Sequence, residues 1–391
     1  MHIVLKYSNK LLLKEKINIL NLLKNSFKDE LISTSVQNAF FNGYESDIKN
    51  FILLYDDELI VGIAIIAYRR INILSHLFKT ITVGPIAIDP KYQGKGLSRL
   101  LMKQLDIIGD IENKDFIYLG GINNFYRQFN YYSCLSKSKI VINCTDIQIK
   151  ENISVVPLKI NHINRIKYLY NEISKTNSLT SKRDNKTWVF LINHCKNSYH
   201  FCNPHIVLYK KSIIGYFCTD PIERNRIRES VCLQKYNYVD KYLTGLKLYF
   251  DKIGEKKIEL MSPINSLLYN YIKKDSTGIF IEYIKNNGGQ LMKILKIDEF
   301  IMKINIIIYI HNIFLEYNSS KNIIEFTNLR KGSKKNMNKT FCDYKYFIGF
   351  ISGKYKNDIL YNYDEISFEF KEDLKNAFKY NFPFIYQGDN F

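Results

Sequence analysis

Between Ile81 and Ile108 the chain runs through an apolar strand pattern, a stop at Asp89-Pro90, a turn with Gly94 and Gly96, and apolar residues at helical spacing from Leu97. Glycine turns the backbone tightly, and its missing Cβ lets N–H groups close on an oxygen-rich anion. Placed at a helix N-terminus, where the dipole adds positive potential, such a turn is a pyrophosphate cradle. Two other phosphate-binding turns are excluded by spacing. A P-loop needs Gly-x-x-x-x-Gly-Lys-Ser/Thr, and a dinucleotide fingerprint needs a third glycine where Arg99 stands.

The elements around this turn alternate. A strand at Ile3 to Tyr7 precedes a helical stretch from Leu12 to Phe27, and Phe51 to Tyr55 with Leu59 to Ala67 read as a hairpin across Asp56, Asp57 and Glu58. After the turn come a buried strand at Phe116 to Leu119, a helical piece at Asn124 to Phe129 and a strand at Ile140 to Asn143. A second unit repeats the layout, with strands near Val155, at Ile206 to Tyr209, at Ile213 to Cys218 and at Lys257 to Met261, and helices at Ile163 to Ile173 and Val239 to Phe250. No glycine opens its second helix, so a cofactor is expected to bind only the first copy. Beyond Gly288-Gly289, a strand from Leu291, a helix to Ile308 and a hairpin at Ile313 to Phe326 predict a third, smaller α+β unit. The class is α/β (α+β) with mixed sheets, divided as 1–148, 149–290 and 291–391.

The 391 residues carry 56 Lys and Arg against 38 Asp and Glu, a net charge of +18. That excess would suit an anionic partner, but it is spread along the chain with Ile and Asn, as a biased base composition produces. The densest cluster, Arg330, Lys331, Lys334, Lys335 and Lys339, reads as a solvated loop, and neither nucleic acid nor membrane is expected as partner. The seven cysteines are scattered and follow no secretory pattern, which predicts reduced thiols in a cytoplasmic protein. The longest apolar stretch, Ile304 to Ile310, is far short of a membrane span.

The pattern Gln93-x-x-Gly96-x-Ser98 resembles the Gln/Arg-x-x-Gly-x-Gly/Ala turn of the GNAT acetyltransferase superfamily, with Ser98 as a small departure. Downstream, Leu119-Gly120-Gly121-Ile122-Asn123-Asn124-Phe125-Tyr126 resembles that superfamily's second signature, a strand leading into an aromatic helix. Nearly the whole chain resembles the enhanced intracellular survival (Eis) family. Tyr126-Arg127-x-Phe129, Gly288-Gly289 with Met292-Lys293-Ile294, and the final Pro383 to Phe391 carry that likeness.

The resemblance implies tandem GNAT folds, the second degenerate, and a sterol-carrier-like C-terminal domain. It also implies acetyl-CoA as cosubstrate. Ile86, Ala87 and Ile88 would meet the pantetheine arm, while Gln93, Gly94, Lys95, Gly96, Leu97 and Ser98 would hold the pyrophosphate, with Asn124 also at the cofactor. Tyr126 would be the general acid, and the Phe391 carboxylate would assist amine deprotonation. A tyrosine of pKa near 10 can protonate a departing thiolate, whereas an α-carboxylate near 3.5 is a weak base that better orients a cationic amine. The implied acceptors are amines, whether aminoglycoside, polyamine or lysine, attacked directly in a ternary complex; the implied assembly is a homo-oligomer, often a hexamer. A non-catalytic binding protein and a longer-chain acyltransferase are the alternatives.

Two constellations carry less. His194, Cys195, His200, Cys202 and His205 match no established zinc spacing and read as a connecting loop. No nucleophile elbow is present, and direct attack on a thioester needs none.

Overall fold

The computed structural model describes residues 3–8, 10–27, 30–37, 41, 48–74, 76–134, 137–175, 177–194, 201–261, 267–274, 280–284, 288–329, 339–351, 360, 367–378 and 382–383. Its first part holds strands β1 (Ile3–Ser8), β2 (Ile48–Asp56), β3 (Leu59–Ile73), β4 (His76–Ile88), β5 (Phe116–Ile122) and β6 (Tyr132–Ser133). Helices α1 (Leu13–Phe27), α2 (Glu30–Val36), α3 (Leu97–Ile111) and α4 (Asn123–Arg127) connect them. The second part holds β7 (Lys137–Asn143), β8 (Ile153–Pro157), β9 (Asn177–Ser178), β10 (His205–Tyr209), β11 (Ser212–Thr219), β12 (Arg226–Cys232), β13 (Lys257–Met261) and β14 (Phe280–Ile284), with α5 (Ile163–Ser174), α6 (Asn185–His194), α7 (Tyr236–Lys252) and α8 (Leu267–Lys274). The third contains β15 (Gly288–Ile294), β16 (Ile313–Asn318), β17 (Ile323–Asn328), β18 (Lys339–Asp343) and β19 (Phe382–Pro383), with α9 (Ile297–Ile308), α10 (Tyr344–Ile351) and α11 (Phe368–Phe378).

Residues alternate across the first sheet because both of its faces are covered. Phe51, Leu53, Ile63 and Ile65 pack with Ile19, Leu22 and Leu23 of α1. Ile52, Leu54, Ala64 and Ile66 pack on the other face with Leu97, Leu101, Leu105 and Ile108, the apolar stripe of α3. The hairpin β2–β3 turns at Asp57 in the left-handed conformation, φ +52°.

The two large sheets have matching layouts. The first runs β1-β2-β3-β4-β5-β15-β6, and the second, read in the same sense, runs β8-β10-β11-β12-β13-β7-β14. In each, the fourth and fifth strands are parallel and the neighbouring pairs antiparallel. The sixth place is filled by exchange relative to the division expected from sequence: β15 follows the second sheet's strands in sequence yet joins the first sheet, and β7, which lies within residues 1–148, joins the second. The repeat expected from sequence is therefore present, with its units interlinked.

Two features were hidden in the sequence. Strands β3 and β4 run past the expected Ala67 and Ile81, because the polar Tyr68-Arg69-Arg70 masks a continuation whose Ile71, Ile73 and Phe78 enter the core of the third unit. Strand β12 is charged rather than apolar. Its Glu229 is satisfied by Arg183 at 2.8 Å and its Arg226 by Glu259 at 3.0 Å. The third unit is a three-stranded antiparallel sheet, β16-β17-β18, packed with α9, α10 and α11 on that shared core.

Candidate active site

The parallel ladder between β4 and β5 ends at the pair Val83↔Leu119. On its other side β4 stays paired with β3 to Ile88, across a bulge where Gly84 and Pro85 oppose only Ile65. The two central strands thus part from residue 84, and Ile86 to Ile88 have no strand beside them on the β5 side among the described residues. Backbone groups along such an edge can receive an extended ligand as an added strand.

At the end of β4, Asp89 Oδ1 accepts from Lys91 N at 2.9 Å, fixing a short 3₁₀ turn at Pro90–Tyr92. Gln93 folds back, donating from Nε2 to the Ile88 carbonyl at 3.2 Å. Gly94 and Gly96 both sit at φ +76°, and a Cβ at either would point into open space. Left-handed conformation, not crowding, is what calls for glycine here. Gly96 is the N-cap of α3, so the free N–H groups of that helix open onto the turn. Tyr92 anchors the turn to the β2–β3 hairpin through a 2.9 Å hydrogen bond to Asp56, and the Lys95 ammonium lies 4.7 Å over the Tyr92 ring.

Tyr126 lies on α4, immediately after β5, and is 9% exposed. Its ring rests against Gly121, and Phe125 meets it edge-on with centroids 4.9 Å apart. Burial pushes its phenol up to about 12, so the hydroxyl is protonated throughout the physiological range. Tyr126 belongs to the same core cluster as Val83, Leu97 and Leu119, with Ile86 and Ile88 packed against it, so the strand edge, the glycine turn and the tyrosine share one face of the sheet.

Not every expected residue falls there. The Ala87 side chain packs on the opposite face with Ile19 and Ile63, leaving only its backbone to the edge. Asn124 is exposed on α4, as are Gln93 and Lys95 in the turn; Leu97 is buried and Ser98 half-buried. Phe391 lies outside the described residues, as do Cys195 and His200. The sequence did not single out Gly121, although the Gly120-Gly121 pair at the end of an apolar strand was the available signal, nor Tyr131, whose ring meets that of Tyr126.

Residues 10–134 match the model of the acetyltransferase (GNAT) domain family. These residues are a GNAT domain. The chain is accordingly an N-acetyltransferase, and GNAT domains draw their acetyl group from acetyl-CoA. The parted strands and left-handed glycines are suited to that cosubstrate. No curated protein sequence matches the chain.

Among solved structures, a GCN5-related N-acetyltransferase from Anabaena variabilis superposes with a TM-score of 0.65 at 15% identity, over 98% of this chain and 99% of its own. Eis1 from Mycobacterium abscessus gives 0.62 at 11% identity, over 99% and 100%. A conserved protein from Enterococcus faecalis V583 gives 0.67 at 13% identity, over 99% of both chains. The whole chain, beyond its GNAT domain, has an Eis-like fold. In the second unit, β12 and β13 also part, after Ile227↔Leu260, but Leu233 to Lys235 lead into α7 without glycine or positive φ.

Proposed function

We propose that this protein acetylates a primary amine from acetyl-CoA by direct attack within a ternary complex. The observation that carries the reading is the parting of β4 and β5 at Val83↔Leu119 beside the glycine turn that opens α3. Ile86, Ala87 and Ile88 offer backbone groups to the pantetheine arm, and the turn from Gln93 to Ser98 offers N–H donors and helix-end potential to the pyrophosphate. Acetyl-CoA supplies an activated thioester. Tyr126 supplies a proton at the sulfur of the departing thiol.

With a pKa of about 12 against about 8.5 for an ordinary thiol, Tyr126 is a weak acid. It therefore donates a hydrogen bond first and yields its proton only as charge develops on sulfur, which suits a group that must differ between ground and transition states.

For Phe391 the support is the resemblance together with the course of the preceding chain. Phe382–Pro383 pair with Asn177–Ser178, and the chain turns at Leu179, where Leu179 N donates to the Asn72 carbonyl and the Thr180 carbonyl accepts from Asn72 N at the end of β3. In this reading the Phe391 carboxylate orients the cationic amine and assists its deprotonation, so that the neutral amine attacks the thioester carbonyl; the proton shed by the acylated nitrogen passes to water as the C–S bond breaks and the departing sulfur takes its proton from Tyr126. An aminoglycoside, a polyamine and a lysine side chain are the acceptors to try. The 291–391 unit as a sterol-carrier-like domain, a homo-oligomeric assembly such as a hexamer, and a cytoplasmic location complete the proposal. The last accords with six buried cysteines among the described residues, all free thiols. No helix among the described residues is long and apolar enough to cross a membrane. The test is thiol release from acetyl-CoA across the amine panel, with Tyr126→Phe as the control variant.

A further inference from the structure

After α4 the chain reverses at Asn130, φ +65°, and brings Tyr131 back beneath Tyr126. The Tyr126 carbonyl accepts from both Phe129 N at 3.0 Å and Tyr131 N at 3.3 Å, and the two tyrosine rings meet edge-to-face with centroids 6.1 Å apart. The next residues, Tyr132 and Ser133, pair with Met292 and Leu291 of β15. Tyr131 is therefore fixed from both sides.

Its hydroxyl is fully buried and has no hydrogen-bond partner among the described residues. Nearby, Asp106 of α3 accepts from Lys293 Nζ at 2.7 Å through Oδ2, while its Oδ1 is buried and also unpartnered. The Lys293 ammonium lies 5.8 Å over the Tyr131 ring, which ties the three side chains together. Burial first, and then the negative charge of Asp106, hold the Tyr131 phenol well above its ordinary value. A buried donor and a buried acceptor, each left without a partner and linked through the same Lys293 side chain, are the kind of groups that an internal water satisfies.

We propose that Tyr131 is a positioning residue for Tyr126, anchored by one buried water shared between the Tyr131 hydroxyl and Asp106 Oδ1. The inference rests on the reading of Tyr126 as the acid. Through this anchor α3, whose N-terminus the glycine turn opens, and β15, contributed from beyond the second unit, jointly set where the Tyr126 hydroxyl stands.

A double-mutant cycle in kcat tests it, using Tyr131→Phe and Asp106→Asn, both near in volume to the native residue. Each is expected to lower kcat about three- to tenfold, as loss of one hydrogen bond does, with KM for acetyl-CoA unchanged. In a Tyr126→Phe background neither should lower kcat further, because both act through the group already removed. Wild-type kcat in Tyr131→Phe overturns the proposal, as does an equal loss in the Tyr126→Phe background. Full activity in Tyr126→Phe itself would instead sink the reading of the acid, so the two failures are distinguishable.

Discussion

The Tyr126 ring lies directly on the backbone of Gly121: a Cβ built on that glycine would stand 2.2 Å from Tyr126 Cε2. No side chain fits there unless the tyrosine moves. Gly121→Ala is expected to displace the ring by a fraction of an ångström or more and to lower kcat about ten- to a hundredfold, with a smaller change in KM for acetyl-CoA. Steady-state kinetics with both substrates varied checks this.

Gly94 and Gly96 act on the other half of the site. Alanine at either φ of +76° costs about 1–2 kcal/mol of backbone strain, relieved by reshaping the turn. Gly94→Ala and Gly96→Ala should weaken acetyl-CoA binding about tenfold while leaving the amine KM unchanged. Calorimetric titration with acetyl-CoA reads the effect directly.

How much of this was legible in the sequence depends on what each residue answers to. The turn from Asp89 to Gly96 was readable because left-handed backbone and helix capping are local demands that local residues reveal. The resemblance implied that Ile86 to Ile88 meet the pantetheine arm, but the parting of β4 from β5 was not legible, since a bulge at Gly84-Pro85 leaves no period in the pattern. Strand β12 was invisible because Arg183, more than forty positions away, satisfies its Glu229. The placement of β15 beside β5 was hidden for a different reason: an apolar strand next to Gly288-Gly289 shows that it must be buried, not which sheet will take it.

That placement has a consequence for stability. Seven residues of β15, from Gly288 to Ile294, pair with β5 between Ile122 and Phe116, so the first sheet is completed from outside the GNAT domain. A fragment spanning residues 1–148 should fail to form a cooperatively folded domain, whereas the full chain unfolds cooperatively. Circular dichroism with urea titration separates the two.

The second unit contains a buried ion pair, Arg183 to Glu229, bidentate at 2.8 and 2.9 Å, with Tyr216 donating to the same carboxylate at 2.7 Å. The guanidinium also lies 4.3 Å over the Tyr170 ring. Arg183→Met leaves Glu229 buried without its cation and should cost about 3–5 kcal/mol of stability. The urea midpoint is expected to fall accordingly.

Tyr126 should also contribute to the loss of stability at alkaline pH, alongside other buried tyrosines such as Tyr131 and Tyr242. Its pKa is raised by burial from about 10 to about 12, so the folded state holds this proton more tightly than the unfolded chain does. The stability it contributes is complete below about pH 10 and is lost as pH rises toward about 12. Tyr126→Phe should therefore lose stability less steeply over that window, which urea midpoints taken across it will report.

The most direct test of the central claim is thiol release from acetyl-CoA, measured with and without each amine for the wild type and Tyr126→Phe. The account predicts release that depends on an amine, with kcat lower by about 10²- to 10⁴-fold in the variant and KM for acetyl-CoA unchanged. Full turnover by Tyr126→Phe, or no amine-dependent release from folded wild-type protein with any acceptor of the three classes, would contradict it.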